Sequence, residues 1–276
     1  MKLGIVNTAY CASAARPEGY RQMRAHGYSY TDFQGLAPMD SPFYGEGGEA
    51  LLAREREAAE AAGIRVYQAH GIWPTDDTSP TGLAEKRAFL ERGIHLMPHL
   101  GCRRLVFHPD MPLGWDADDP DLVYRSNKET ILRLLPHAER ENVILCIENM
   151  PMKRISFSRV EPMLALVEEI NHPLLAMCLD TGHAAVFSDD CGDAVRRIGR
   201  RLEALHIHDN DGTADQHRLP ETGVVNWGGF LTALREIGFQ GSFSFEPGMP
   251  DGTREENLRA LVAFGKKVNE NTEIEK

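Results

Sequence analysis

Short apolar runs alternate along this chain with longer stretches whose apolar positions recur at helical spacing. The runs suit strands buried on both faces, and the longer stretches suit amphipathic helices. Strands are expected at residues 3–6, 28–33, 64–69, 104–107, 143–147, 174–179, 202–205 and 242–245. Helical patterns follow near 17–26, 49–62, 83–100, 121–141, 159–170, 193–200, 227–237 and 254–268. Gly63 and Gly101 stand where the second and third helices stop, a common place for glycine. Pro98 lies inside the third helical pattern, where it is expected to kink or shorten the helix. The repeated unit predicts an α/β protein, a single (β/α)8 TIM barrel spanning residues 1–276 as one domain. Such barrels use about 250 residues.

The strand ends carry the chemistry. Leu174-Leu-Ala-Met-Cys-Leu runs straight into Asp180-Thr-Gly-His183. Val143-Ile-Leu-Cys-Ile147 runs into Glu148-Asn149, Leu202-Glu-Ala-Leu205 into His206-Ile-His208-Asp209, and Ser242-Phe-Ser-Phe245 into Glu246-Pro247. From Glu148 to Asp180, His206 and Glu246 the steps are 32, 26 and 40 residues, near one strand–helix unit each. In a parallel barrel all four side chains then end strands at one rim, which is where such barrels place their active sites.

Composition narrows the class. The chain is 42% hydrophobic and 26% charged, ordinary for a globular protein. Its net charge of −11 argues against binding a phosphate backbone. Arg196, Arg197, Arg200 and Arg201 read as a solvated helix terminus. Five scattered cysteines show no paired spacing, which points to a reducing compartment, and the cytoplasm is expected. No apolar run reaches the ~18 residues that span a membrane. Ala12-Ser-Ala14 faintly resembles a secretion-signal cleavage site, but residues 2–6 read better as the first strand. The polar residues after 269 are expected to fray.

Glu148, Asp180, His206 and Glu246 offer three carboxylates and one imidazole, a donor set suited to Mn²⁺, Mg²⁺, Co²⁺ or Zn²⁺. Carboxylates clustered without a counter-charge repel one another, and a divalent ion removes that penalty. Each acid taken alone is equally well a helix N-cap or an ion-pair partner; four at successive strand ends favour a metal. His70 and His108 end strands three and four, His183 follows Asp180, and Asp215 and His217 sit in the loop after strand seven. Each of these histidines alone is more often a simple hydrogen-bonder than a ligand. His208 alternates with His206 and is expected to face away from it, in a structural role. Glu46, Glu49 and Glu55 read as the start and solvated face of a helix, while Tyr28, Tyr30, Phe33 and Phe43 can either wall a site or pack the core. The loops at residues 110–120 and 209–226 are long enough to roof the rim.

Together, Leu-Asp-Thr-Gly-His183, Cys-Ile-Glu-Asn149, His-Ile-His-Asp209 and Phe-Glu-Pro247 resemble the xylose-isomerase-like TIM-barrel superfamily over essentially the whole barrel. That superfamily holds sugar and sugar-phosphate isomerases and epimerases beside the endonuclease IV enzymes of DNA repair. The ketose 3-epimerase branch implies one divalent ion, Mn²⁺ foremost, on Glu148, Asp180, His206 and Glu246. It also implies proton transfer by Glu148 and Glu246 through an enediolate, with substrate held by His183 and Arg218 and a small polar cavity lined by His70, His108 and His217. The endonuclease IV branch implies up to three zinc ions, with His70, His108, His183, Asp215 and His217 as additional ligands. Against that branch, the chain opens Gly4-Ile-Val-Asn-Thr8 rather than Gly-Ala-His-Val-Ser and lacks clustered basic residues after strands one and two. Relatives on the isomerase side often carry Pro-Gly-x-Gly after the loop histidine, where this chain has Pro220-Glu-Thr-Gly223.

The resemblance therefore implies a metal-dependent sugar isomerase or epimerase acting on a ketose, aldose or derivative. An endonuclease IV-like zinc phosphodiesterase acting on abasic DNA is the alternative, and a catalytically silent binding protein is a third reading. The implied partner is a small carbohydrate rather than nucleic acid or a membrane, and the implied assembly is a homo-oligomer, dimer or tetramer.

Overall fold

The computed structural model describes residues 2–11, 17–73, 78–248 and 254–269. Its strands are β1 (Lys2–Val6), β2 (Tyr30–Phe33), β3 (Arg65–His70), β4 (Arg104–Phe107), β5 (Ile144–Glu148), β6 (Leu175–Asp180), β7 (Leu202–His206) and β8 (Ser242–Phe245). All pair in parallel, in the order β7-β6-β5-β4-β3-β2-β1-β8. Ile207 N–H donates to the Ser244 carbonyl at 2.9 Å and Glu246 N–H to the Ile207 carbonyl at 3.1 Å, which joins the two ends of the sheet. The result is the expected (β/α)8 barrel.

The helices are α1 (Pro17–Ala25), α2 (Gly48–Ala61), α3 (Pro80–Leu100), α4 (Pro120–Glu141), α5 (Val160–Ile170), α6 (Thr181–Val186), α7 (Cys191–Ile198), α8 (Trp227–Glu236) and α9 (Arg254–Asn269). Local chemistry sets their ends. Ser79 caps α3 by accepting the Gly82 N–H, and Gly101 closes it at φ 69°, where a Cβ is disfavoured. Pro98 does not shorten α3, which runs on to Leu100. It sits in the last turn, and Gly101 N–H bonds to the Pro98 carbonyl at 3.1 Å.

Alternation along the strands explains the placement of the site. Val106, Cys146, Ala176, Cys178 and Ala204 form a separate buried cluster of mostly small side chains. Two residues further along the same strands come His108, Glu148, Asp180 and His206, on the same face as that layer. The polar rim thus stands one layer above a close-packed plug of small residues, as a filled barrel requires.

Several expectations change in three dimensions. The stretch after Asp180 is the short helix α6. Glu55 is not solvated: it is 1% exposed and accepts a 2.6 Å hydrogen bond from the Tyr20 hydroxyl. Tyr28, Phe33 and Phe43 are core residues, and Tyr30 packs edge-on against Tyr67. Arg196, Arg197 and Arg200 are exposed, as expected of a solvated terminus, with Arg196 paired to Glu236 at 2.7 Å and Arg197 to Glu161. All five cysteines are buried. Among the described residues no helix is long and apolar enough to cross a membrane. The Ala12-Ser-Ala14 stretch and the tail after residue 269 lie outside the described residues.

Candidate active site and metal centre

Parallel pairing brings the rim side chains together. Asp180 is the register partner of His206, and Glu148 that of Cys178. His206 Nδ1 lies 2.7 Å from Glu148 Oε1 and 3.2 Å from Glu246 Oε2. Glu148, Asp180, His206 and Glu246 each offer an atom within 4.8 Å of the others. The first three are buried, while the Glu246 side chain keeps 23% of its exposure and reaches into the cavity above.

Neighbouring groups hold these side chains in place. Asn149 exchanges hydrogen bonds with the Asp180 backbone, donating Nδ2–H to its carbonyl at 3.0 Å and accepting its N–H at 2.8 Å, which ties the end of β5 to β6. Asp180 Oδ1 caps α6 by accepting the His183 N–H at 2.7 Å. The capping and metal-binding readings of this acid are therefore compatible, because a carboxylate oxygen has a second lone pair. His208 is a residue the sequence reading misplaced. β7 ends at His206, and His208 turns into the site, fully buried, with Nε2 2.9 Å from Asp180 Oδ2. Asp32, at the end of β2, was not singled out from sequence; its Oδ2 lies 2.8 Å from His206 Nε2.

The remaining histidines share a pattern. His70, His183 and His217 place Nδ1 at 2.7, 2.7 and 2.9 Å from the carbonyls of Gly71, Asn149 and Glu246. Donation from Nδ1–H leaves each Nε2 lone pair free to face the cavity, as is typical of ligating histidines, whose other ring nitrogen is tied to a backbone carbonyl or carboxylate. His70 Nε2 and His108 Nε2 approach Glu148 Oε2 to 3.4 and 3.3 Å, and that buried oxygen has no hydrogen-bond donor among the described residues. His183, His208, Asp215 and His217 form a second group of converging donors, with the His208 and His217 rings stacked at 4.0 Å. Arg218, expected to touch substrate, pairs instead with Asp211 at 2.9 Å and is absent from the cavity lining.

The electrostatics call for positive charge. Burial alone would raise the Glu148 carboxyl, yet the charge of His206 beside it holds it well below the usual carboxylate range. Burial disfavours a charged His183, but Asp180, Asp215 and Glu148 outweigh it and lift its pKa to about 10. His217 is lifted to about 9 in the same way by Asp215 and Glu246. His108 goes the other way, to about 4, because burial exceeds the help from Glu148 and His70 opposes a second charge. Acceptor atoms packed this closely need protons or a divalent cation between them. The orphaned Glu148 Oε2 and the oxygen-rich donor set fit a hard to borderline ion.

A cavity of about 820 Å³ opens above this cluster. His70, His108, Glu148, His183, Asp215, His217 and Glu246 line its polar part; Met150, Met152, Trp73 and Trp115 line its apolar part. Both long loops contribute, through Trp115 and Asp116 on one side and Thr213, Ala214, Asp215 and His217 on the other. The aromatic wall is thus built by Trp73 and Trp115, each 45% exposed, rather than by the tyrosines and phenylalanines of strand two and its loop.

A family model described as the xylose isomerase-like TIM barrel matches residues 20–268. The chain belongs to this family. Among members of the xylose isomerase-like family, it is 26% identical over 215 residues to a D-psicose 3-epimerase from Agrobacterium fabrum, covering 75% of this chain and 72% of that protein. It is 27% identical over 195 residues to a probable endonuclease 4 from Mycoplasma mobile, covering 64% of this chain and 65% of that protein. The chain spans 52% and 60% of the lengths of two relatives described as uncharacterised, from Sinorhizobium fredii and Methanocaldococcus jannaschii. The crystal structure of a D-psicose 3-epimerase in the presence of D-fructose superposes with a TM-score of 0.77 at 22% identity, covering 97% of this chain and 99% of that one.

Proposed function

We propose that this protein is a divalent-metal-dependent isomerase or epimerase acting on a ketose, aldose or close derivative, with Mn²⁺ as the preferred ion. The observation that carries the reading is the convergence of Glu148, Asp180, His206 and Glu246 on the floor of a cavity that suits a small polar molecule. Its likeness to a D-psicose 3-epimerase over 75% of the chain supports the substrate class. In this reading Glu148, Asp180, His206 and Glu246 hold the ion. A bound divalent ion supplies Lewis-acid polarisation of the carbonyl, which acidifies the neighbouring C–H bond.

The chain's own side chains do the rest. Glu148 and Glu246 come from strand ends separated by β6 and β7, and both face the cavity. One carboxylate takes the proton from the carbon beside the carbonyl, and the electron pair moves into an enediolate. The other carboxylate returns a proton to the opposite face, and the product is the epimer. Return to the neighbouring carbon gives the isomer. His183, with its Nδ1–H tied to Asn149, points Nε2 toward the cavity and holds a substrate oxygen; His70, His108 and His217 line the same polar space. Trp73 and Trp115 shield the reacting carbons from water. Five buried cysteines without paired spacing support action in the reducing cytoplasm.

A second reading is an endonuclease IV-like phosphodiesterase. The donor group of His183, His208, Asp215 and His217 and the match to a probable endonuclease 4 favour it. The net charge of −11 weighs against it, as does a cavity whose described lining has only Lys153 and Arg154 as lysine or arginine. The deciding experiment is a screen of ketoses for epimer formation beside cleavage of an abasic-site duplex at ~0.15 M salt. Epimer formation that stops on chelation supports the proposal; efficient chelator-sensitive strand cleavage without epimer formation overturns it.

A further inference from the structure

His206 presents its ring the opposite way round from its neighbours. His70, His183 and His217 tie Nδ1 to backbone carbonyls and turn Nε2 inward. His206 turns Nδ1 to Glu148 and Glu246, and its distal Nε2 reaches across the barrel to β2. Asp32 receives this N–H, fully buried, with Oδ2 at 2.8 Å.

The fold makes a specific provision for Asp32. The pairing of β2 with β3 slips between Thr31 and Asp32: Thr31 faces Val66, whereas Asp32 faces Gln68. This irregularity sets Gln68 beside the carboxylate, and bulges of this kind re-aim side chains next to active sites. Gln68 Nε2 donates to Asp32 Oδ2 at 2.8 Å and to the Leu205 carbonyl at 3.1 Å, bracing the acid against β7 itself. A neutral imidazole has one donor and one acceptor nitrogen. With Nε2–H given to Asp32, Nδ1 is the nitrogen that faces Glu148 and Glu246, and the one whose proton a bound ion would replace.

We infer that Asp32 is the positioning residue that selects the Nε2–H tautomer and ring orientation of His206, with Gln68 as its clamp. This rests on the proposed metal-binding role of His206. An unmatched carboxamide at position 32 can donate to the ring, turning the proton to Nδ1 and the lone pair away from the site. Outer partners of ligating histidines typically contribute 10–100-fold to metal affinity.

The test is Mn²⁺ binding by the full-length apo protein in competition with a chelator, measured for wild type, Asp32→Asn, Asp32→Glu, Gln68→Leu and Asp180→Ala. Asp32→Asn is expected to bind roughly 10–100-fold more weakly. Asp32→Glu, which keeps the carboxylate, should recover most of that loss, and Gln68→Leu should fall between. Nitrogen chemical shifts of His206 in the protein loaded with Zn²⁺, a diamagnetic ion, provide a readout that a packing defect would not move in this direction. The wild type should show the Nε2–H tautomer and Asp32→Asn should lose it. If Asp32→Asn does not fold, Gln68→Leu carries the same two measurements. Affinity unchanged in Asp32→Asn or, in its place, Gln68→Leu, or a wild-type His206 protonated at Nδ1 alone, overturns the inference. Its failure is distinct from failure of the metal reading, in which Asp180→Ala would bind Mn²⁺ as well as wild type.

Discussion

The imidazole of His208 lies against the backbone of Gly182, so close that a Cβ at position 182 would collide with its Cε1 and Nδ1. The glycine of Asp-Thr-Gly-His183 therefore leaves room for a ring that reaches Asp180 Oδ2 at 2.9 Å. Gly182→Ala must displace His208 and with it one support of Asp180. Overpacking of this kind costs about 1–3 kcal/mol. Denaturant unfolding should show that loss, and Mn²⁺ titration of the same variant should show weaker binding. Wild-type behaviour in both would remove His208 from the support of the site.

Removing a member of the proposed quartet should separate fold from function. Asp180→Ala deletes a buried carboxylate and is expected to lower metal content after purification by roughly 100-fold or more, beyond the typical effect of an outer partner. Metal analysis checks it. Equal metal content in wild type and variant would remove Asp180 from the ligand set.

Glu246 is the more accessible of the two glutamates, so Glu246→Gln should leave the core undisturbed. Turnover is expected to fall by about 10²–10⁴-fold, the usual contribution of a positioned acid or base. Wild-type turnover in deuterium oxide should place solvent deuterium on the product carbon. Complete turnover with no deuterium incorporated would point to a hydride shift and deprive Glu148 and Glu246 of their proton-transfer role.

The buried pair Lys86–Asp110 should shape the acid limb of stability. Asp110 accepts from Lys86 Nζ at 3.1 Å, Thr130 at 2.6 Å and Ser126 at 2.9 Å, and Lys86 also donates to the carbonyls of His108 and Pro109 at 3.0 and 2.9 Å. Burial pushes the Asp110 carboxyl up, but Lys86, Thr130 and Ser126 more than compensate and hold it below its ordinary value of 3.8. Its folded pKa lies below its unfolded one, so its contribution is fully present above 3.8 and is lost as pH falls through the folded pKa. Asp110→Asn should therefore flatten the stability curve below that pH. Lys86→Met leaves the carboxylate with Arg87 Nη2 at 3.2 Å as its remaining cation, and should cost less than the ~3–5 kcal/mol of a wholly uncompensated buried charge at neutral pH. Urea titrations at a series of pH values test both.

Alternation and unit length alone make the barrel and its rim readable from sequence. Parallel strands that each end in His, Glu or Asp deliver those side chains to one end of a closed sheet, and Glu148, Asp180, His206 and Glu246 converge as their spacing implies. What alternation cannot show is which side chains meet across the interior, since that depends on closure and on local breaks in register. Asp32 sits in Tyr-Thr-Asp-Phe as one acid in a short strand, and only the slip beside Thr31 brings it to Gln68 and His206. His208 was assigned the outer face because alternation was carried past His206, where the strand stops and the chain turns inward. Aromatic residues divide for the same reason. Tyr28, Phe33 and Phe43 are buried where helices cover the sheet, whereas Trp73 and Trp115 stand over the cavity because the chain leaving β3 and the loop before α4 pass above the open end of the barrel. Sequence periodicity determines the face and the strand end of each residue; three-dimensional closure determines its partners.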